Sequence, residues 1–333
     1  MKYDISALGN ALVDTQYMVD HDFLDEIGLE ADSMTLASAE EHIPIIDKLQ
    51  SMGVESVSDC GGSATNSLVA ASYYGSKCHH VCRVANDEDG KKYLESLQKA
   101  GVQHIGYSKE DSEMPTGKCL IFVTPDAKRT MSSMLGISAY LGSKDINYDA
   151  INNSKIFYIE GYMVTSDENF SAVTSVLNHV KNENTKKALS LSDAGIVIGF
   201  RDKFAEIESY GIDMIFCNDD EATAFAGKEN LDDAIKFFKE QSYMIAITKG
   251  AEGSVVINNG QEIFSPAMPI TPVDTNGAGD MYAGSFMYAY LNDLDLCECA
   301  EFSNFASSKI VETFGPRLTP EGYKEVLNKL KKS

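Results

Sequence analysis

The sequence predicts an α/β fold: a mostly parallel central sheet covered by helices on both faces, plus a small β-sheet that serves as a lid. In the second half of the chain, short apolar runs alternate with helical segments, which is typical of a parallel sheet. Residues 12–38 and 106–136 break this alternation with hairpin signals, and we expect them to form the lid. Residues 1–11, 39–105 and 137–333 would then form the large domain.

The first half of the chain begins with a buried strand that ends in a glycine. Its predicted strands are 5–9, 12–19 and 77–84, and its predicted helices are 22–27, 38–49, a segment of small residues through Tyr74, and 87–100. Gly101 closes the last of these helices, since glycine is favoured at helix C-termini. Residues 118–124 and 129–135 form a predicted hairpin joined by Pro125-Asp126-Ala127.

The second half repeats a simpler pattern of strand and helix. Its predicted strands are 156–159, 187–191, 214–217, 244–248 and 253–257, and its predicted helices are 168–179, 200–208, 220–226 and 231–240. Residues 278–291 have apolar side chains at helical spacing and predict a buried helix after a glycine-containing turn.

Composition limits the function classes. The 333 residues carry a net charge of −22, which argues against nucleic acid or anionic membranes as partners. No stretch approaches the ~18 apolar residues of a membrane span, and the start of the sequence lacks the layout of a signal peptide. Seven scattered cysteines do not indicate a disulfide framework. We expect a cytoplasmic enzyme.

The turn at residues 274–280 is the strongest chemical signal. A glycine turn that opens a helix leaves backbone N–H groups unpaired, and phosphate is the usual anion bound there. Asp280 lies in the first helical turn. It could be a favourable charge at a helix start, or it could receive a proton from an attacking hydroxyl.

The standard nucleotide signatures are absent from the sequence. None of the Gly-Lys pairs has the context of a Walker loop, no dinucleotide fingerprint follows the first strand, and no His-Arg-Asp triplet occurs. Phosphate chemistry in this protein would therefore use a different cradle.

Five short motifs, in order along nearly the whole chain, resemble those of the ribokinase-like (PfkB) carbohydrate and nucleoside kinases. They are residues 9–14 (GNALVD), 61–66 (GGSATN), 218–221 (NDDE), 248–250 (TKG) and 274–280 (DTNGAGD). The closest likeness is to bacterial members labelled adenosine kinases or sugar kinases. The resemblance implies a ribokinase-like three-layer α/β/α fold whose large domain is catalytic and binds ATP with Mg²⁺.

The resemblance assigns the catalytic residues. Asp280 would be the base, and the N–H groups of Gly277, Ala278 and Gly279 would hold the transferring phosphoryl. Phosphoryl transfer depends mainly on positioning and charge neutralisation, and a helix start supplies fixed donors for both.

Asp14 and Arg129 are candidate substrate contacts outside that turn, Asp14 by resemblance and Arg129 by its place in the lid. Asp14 would bind hydroxyls of the substrate, although a turn-stabilising aspartate is the alternative. Arg129, in the lid, would clamp a phosphate or close over the substrate, and a solvated hairpin arginine is the alternative.

Gly61, Gly62 and Asn66 resemble a substrate-binding turn in which glycine lets the backbone approach a ring. The alternative is an ordinary helix start capped by Ser63 or Thr65.

Asn218 and Glu221 resemble the pair that organises Mg²⁺ around ATP, with Glu221 reaching the metal through water, since Mg²⁺ usually keeps several waters. The alternative is a helix start with acidic capping residues. The resemblance also allows a monovalent cation near Gly315-Pro316.

Thr248 and Gly250 resemble an ATP-binding turn, and Asn304 falls where the family often contacts adenine. Lys249 could reach phosphate or face water.

The sequence favours an uncharged acceptor. Residues 1–82 contain three lysines and no arginine, so this part of the chain has few cationic partners for a phosphorylated sugar. Lys118, Lys128 and Arg129 in the lid keep a phosphorylated acceptor as an option. The protein would phosphorylate a primary hydroxyl, and adenosine is the favoured acceptor, mostly because of the resemblance. A free-sugar kinase of the ribose or fructose type, a non-catalytic sugar- or nucleotide-binding protein, and a donor other than ATP are the alternatives. The resemblance allows a monomer or a lid-paired homodimer.

Overall fold

The computed structural model describes residues 2–31, 33–104, 106, 114–126, 128–180 and 184–330. Residues 32, 107–113 and 127, which belong to the predicted lid, lie outside the described residues.

The described residues form fourteen strands and thirteen α-helices. The strands are β1 (Tyr3–Leu8), β2 (Leu12–Met18), β3 (Met34–Leu36), β4 (Ser56–Gly61), β5 (Cys78–Val81), β6 (Gln103–His104), β7 (Gly117–Val123), β8 (Arg129–Met134), β9 (Ser154–Ile159), β10 (Lys186–Ser190), β11 (Met214–Asn218), β12 (Met244–Thr248), β13 (Gly253–Asn258) and β14 (Gln261–Pro266). The helices are α1 (His21–Ile27), α2 (Ala39–Ser51), α3 (Ser63–Tyr74), α4 (Glu88–Ala100), α5 (Tyr148–Asn152), α6 (Asp167–His179), α7 (Ala194–Gly199), α8 (Arg201–Ser209), α9 (Asp219–Ala226), α10 (Leu231–Phe238), α11 (Ala278–Leu291), α12 (Leu296–Val311) and α13 (Pro320–Leu330).

The large sheet has nine strands in the order β14-β13-β12-β11-β10-β9-β1-β5-β6. All neighbours are parallel except β12-β13 and β13-β14. Separate apolar cores cover its two faces: one is built by α3, α4, α11, α12 and α13, and the other by α5, α6, α7, α8, α9 and α10. The predicted three-layer, mostly parallel architecture is therefore confirmed.

A second sheet has the strand order β3-β8-β7-β2-β4 and contains the predicted β7-β8 hairpin. One face packs on α1 and α2 through apolar side chains that include Phe23, Leu49 and Phe122. The predicted boundaries gave residues 39–105 to the large domain, but β4 lies within that range and pairs with β2. Residues 56–59 of β4 are exposed and rich in serine, so no alternation of apolar residues marks this edge strand in the sequence.

Helices α3 and α11 approach each other unusually closely. A Cβ atom on Gly284 would overlap the carbonyl oxygen of Ser67 and lie 3.0 Å from its Cα. The small side chains at the start of α3 and the glycine in α11 thus let the two helices start side by side. Among the described residues, no helix has the length and apolar character needed to cross a membrane.

Candidate active site

A cavity of about 650 Å³ lies between the second sheet and the carboxyl ends of the parallel strands, where ligands bind in open α/β sheets. Twelve predicted site residues line it: Asp14, Gly62, Asn66, Arg129, Asn218, Glu221, Thr248, Gly250, Gly277, Ala278, Gly279 and Asp280. Gly61 and Asn304 do not.

The turn before α11 is held by Asp274. Its Oδ1 accepts a hydrogen bond from the N–H of Asn276 (2.7 Å), and its Oδ2 accepts one from the N–H of Gly315 (2.8 Å). Gly277 precedes the helix with φ +75°, and a Cβ atom there would lie 2.7 Å from the carbonyl oxygen of Pro316. Only glycine fits this combination of left-handed backbone and close approach.

The first residues of α11 line the cavity, and the N–H groups of a helix start point out of the helix end. Ala278 already donates to the carbonyl of Thr275 (3.3 Å), and the regular helical pattern begins with Met281 donating to Gly277 (2.8 Å). The N–H groups of Gly279 and Asp280 therefore lack an intrahelical partner and can receive an anion.

Asp280 is fixed by two donors from α3. Its Oδ1 accepts a hydrogen bond from the Ser63 hydroxyl (2.6 Å), and its Oδ2 accepts one from the Asn66 side-chain amide (2.9 Å). Burial raises the pKa of Asp280, while these two hydrogen bonds and the charge of Arg317 act in the opposite direction. The carboxylate is therefore both oriented and more basic than an exposed aspartate.

The start of α3 is held by Glu160, which follows β9. Its Oε2 accepts a hydrogen bond from the N–H of Ala64 (2.9 Å), and its Oε1 accepts one from the Asn10 side chain (3.1 Å). Burial raises the pKa of Glu160 to about 7. Gly62 is the N-cap residue and has no side chain to cap the helix, so Glu160 takes this role and capping by Ser63 or Thr65 is wrong.

Asp14 lies on β2 opposite Asp59 of β4. Burial raises its pKa to about 7, with the negative charges of Asp59 and Asp280 acting in the same direction and Arg317 and Arg129 opposing it. A Cβ atom on Gly61 would overlap the Asp14 carboxyl group. Gly61 therefore makes room for Asp14 and does not line the cavity itself.

Arg129 connects the second sheet to the turn before α11. Its Nη2 forms an ion pair with Oδ2 of Asp274, and only 11% of its side chain is exposed. Its Nη1 is buried with no hydrogen-bond partner among the described residues. The alternative of a solvated hairpin arginine is therefore wrong.

Asn218 and Glu221 form a reciprocal cap at the start of α9. The Asn218 Oδ1 accepts from the N–H of Glu221 (2.8 Å), and both Glu221 oxygens accept from Asn218, at 3.2 and 2.8 Å. The capping alternative is thus correct, yet both residues also line the cavity. Burial raises the pKa of Glu221 to about 8.

Of the remaining predicted residues, Thr248 and Gly250 line the cavity, whereas Asn304 lies in the interior. Thr248 donates to the carbonyl of Cys217 (3.3 Å), while Lys249 pairs with Glu252 (2.7 Å) at the surface. The Asn304 amide donates to the backbone and side-chain oxygens of Ser265 on β14, at 2.9 and 3.0 Å, and does not reach the cavity.

Several site residues were missed by sequence reasoning. They are Asn10, Ser63, Glu160, Asp193, Asp274 and Arg317. Glu160 had a usable signal, since it is the first charged residue after the apolar end of β9. Arg317 had none, because its partners are distant in the sequence.

Direct metal ligation finds little support in the side chains. Among the residues that the structure describes, no cluster of three or more His, Cys, Asp or Glu side chains could hold a metal ion. Glu221 lines the cavity but has both oxygens engaged by Asn218, which fits contact with a hydrated ion better than direct binding.

Comparison with known proteins identifies the family. Residues 34–321 match the family described as pfkB family carbohydrate kinase. Adenosine kinase 2 of Arabidopsis thaliana is 28% identical over 330 residues, which cover 92% of this chain and 93% of that protein.

Two solved structures share the fold over the whole chain. The adenosine kinase from Sinorhizobium meliloti superposes with a TM-score of 0.90 at 29% identity, covering 99% of this chain and 100% of that one. A probable sugar kinase from Rhizobium etli CFN 42 also gives 0.90, at 26% identity and 99% coverage of both chains. The chain therefore belongs to the pfkB family of carbohydrate kinases, has the ribokinase-like fold, and is a kinase that phosphorylates a hydroxyl group.

Proposed function

We propose that the protein transfers the γ-phosphoryl group of Mg-ATP to the primary hydroxyl of a nucleoside or sugar, with adenosine as the favoured acceptor. The observation that carries the proposal is the meeting of Asp280, held by α3, with the unpaired N–H groups at the start of α11. A proton acceptor and an anion-binding site thus face the same cavity.

Asp280 acts as the base. The acceptor hydroxyl donates a hydrogen bond to its carboxylate and passes its proton there as the oxygen bonds to phosphorus and the link to ADP breaks. The transition state is loose, so orientation of the hydroxyl is more important than strong basicity. The N–H groups of Gly277, Gly279 and Asp280 stabilise the negative charge of the transferring group without reorganisation, whereas the N–H of Ala278 already donates to Thr275.

The acceptor binds between α3 and the second sheet. We propose that this sheet belongs to a lid formed by residues 12–38 and 106–136 together with β4. Asp14, Gly62 and Asn66 face it from the polar side. The lid contributes an apolar wall: Leu12, Met34, Leu36, Cys119, Ile121 and Met131. An apolar wall suits a flat base better than a bare sugar, whose hydroxyls would lose hydrogen bonds against it.

The charges in the cavity favour a neutral acceptor. Arg129 is the single lysine or arginine that lines the cavity in the part of the chain that the structure describes, and it already pairs with Asp274. Lys118, one of the residues that kept a phosphorylated sugar as an alternative acceptor, pairs with Asp89 (2.9 Å) outside the cavity.

The donor would lie along Asn218, Glu221, Thr248 and Gly250. Bound Mg²⁺ would neutralise phosphate charge, with Glu221 and Asn218 ordering its water ligands. The adenine contact of Asn304 stays a prediction, since the residue does not line the cavity and its NH₂ group donates to Ser265 on β14. A monovalent cation near Gly315-Pro316 stays a prediction, as do the monomer or lid-paired homodimer and the cytoplasmic location.

Replacing Asp280 by Asn should reduce kcat by about 10²- to 10⁴-fold, since the amide cannot take the proton. The Michaelis constants for acceptor and ATP should change only a few-fold. Steady-state kinetics coupled to ADP release measure both. Asp293→Asn is the matched control, because Asp293 follows the far end of α11 and lies outside the cavity. Near wild-type turnover by D280N would show that Asp280 is not the base.

An acceptor panel tests the substrate class. With Mg-ATP, kcat/KM should be highest for adenosine or another neutral ribosyl compound among adenosine, inosine, guanosine, ribose, fructose and fructose 6-phosphate. A clear preference for fructose 6-phosphate would overturn the choice of a neutral acceptor. Lack of turnover with every acceptor, with ATP, ADP or pyrophosphate as donor, would instead favour a binding protein.

Acceptor binding should depend on pH through Asp14. Its pKa is about 7, so its carboxylate becomes protonated and loses acceptor strength as the pH falls through that value. Calorimetry without ATP should therefore show adenosine binding weakening below about pH 7. D14N should bind more weakly at pH 8 and lack this decline. If the decline persists in D14N and disappears in Glu160→Gln, Glu160 and not Asp14 is the titrating contact.

A further inference from the structure

Arg317 contacts Asn66 at the end of its amide opposite to Asp280. Its Nε donates to Asn66 Oδ1 (2.8 Å), while Asn66 Nδ2 donates to Asp280 Oδ2 (2.9 Å). Its Nη1 donates to the Ser96 hydroxyl on α4 (2.8 Å). A continuous chain of hydrogen bonds thus runs from α4 through Arg317 and Asn66 to the proposed base.

The chemistry of these groups fixes the direction of the Asn66 amide. A guanidinium group can only donate and an ionised carboxylate can only accept, whereas an amide has one accepting and one donating end. Arg317 therefore binds the Asn66 oxygen and leaves its NH₂ group facing Asp280. Without Arg317, the Asn66 oxygen loses its donor, and the contact with Asp280 alone holds the amide.

The location of Arg317 links this contact to the anion-binding turn. It directly follows Pro316, whose backbone packs against Gly277 at the start of α11. The same short segment therefore supports the N–H groups on one side and the Asn66–Asp280 contact on the other.

Arg317 also provides positive charge in an acidic surrounding. The titratable groups that interact with Asp280 are Asp14 on β2, Tyr158 on β9, Glu160 and Tyr162 after β9, and Glu221 on α9. Those that interact with Arg317 are Asp14, Cys60, Tyr73, His80, Tyr93, Asp280 and Tyr323. The Nη2 atom of Arg317 is buried with no hydrogen-bond partner among the described residues, so its charge is not neutralised there.

We propose that Arg317 is a positioning residue for the reaction: it locks the Asn66 amide so that Asp280 is held towards the acceptor hydroxyl. The inference rests on the proposed role of Asp280 as base. Arg317 does not line the cavity, and it acts through Asn66 and through its charge.

Arg317→Met should lower kcat by about 10- to 100-fold, as expected when a reacting group is displaced slightly, and should change the KM for ATP by about 2-fold or less. Because the Arg317 charge lowers the pKa of Asp280, its removal should raise that pKa and move the acidic limb of the kcat–pH profile to higher pH. Arg317→Lys keeps the positive charge but loses the planar guanidinium group. The acidic limb of its kcat–pH profile should therefore move less than that of R317M. Guanidine added to R317M should restore part of kcat.

A double-mutant cycle separates positioning from general structural damage. If Arg317 acts through Asn66, R317M should reduce kcat much less in an Asn66→Ala background than in the wild type. Arg201→Met is the control, since Arg201 is exposed on α8 and lies outside the cavity. The proposal would be overturned if the losses of kcat in R317M and Asn66→Ala were additive and the acidic limb of the kcat–pH profile of R317M did not move.

A structural readout keeps the inference testable without activity. A crystal structure of R317M should show the Asn66–Asp280 hydrogen bond broken or the Asp280 side chain rotated, with α3 and α11 in place. An unchanged Asn66–Asp280 contact would refute the role of Arg317, whereas a wild type that phosphorylates nothing would refute the proposed function instead.

Discussion

The close approach of α3 and α11 is the constraint on which the site depends. Gly284 lies against the backbone of Ser67, so the two helices start next to each other on one side of the sheet. Asp280 can therefore reach both Ser63 and Asn66 while the N–H groups of its own helix remain open to an anion. Glu160 holds the α3 start and Asp274 holds the turn before α11, so both elements are fixed before any substrate arrives.

Charge is distributed unevenly in this acidic protein. Burial raises the pKa of Asp14 and Glu160 to about 7 and that of Glu221 to about 8, so three carboxyl groups of the cavity titrate near neutrality. Two arginines, Arg129 and Arg317, lie among these acids and oppose the shift at Asp14. Both come from outside the α3 and α11 starts, which shows that distant parts of the chain supply the compensating charge.

The sequence allowed the local features of the fold and site to be predicted, but not the contacts between distant residues. Apolar periodicity was sufficient for α11 and for the parallel strands, and the DTNGAGD turn pointed to Asp280. The exposed, serine-rich β4 carries no such pattern. Nothing local pairs Arg129 with Asp274 or Arg317 with Asn66. Gly61 showed the same limit, since nothing in the sequence relates its small size to the buried Asp14 carboxyl group beside it.

A crystal structure with ADP, aluminium fluoride and adenosine, as a mimic of the transferring state, tests the central claim most directly. The account predicts the fluoride at the N–H groups of Gly277, Gly279 and Asp280, which have no acceptor within the helix. It also predicts the acceptor's primary hydroxyl within hydrogen-bond distance of Asp280, with Ser63 and Asn66 still donating to that carboxylate. A fluoride bound elsewhere, or an Asp280 side chain turned away from the acceptor hydroxyl, would contradict it.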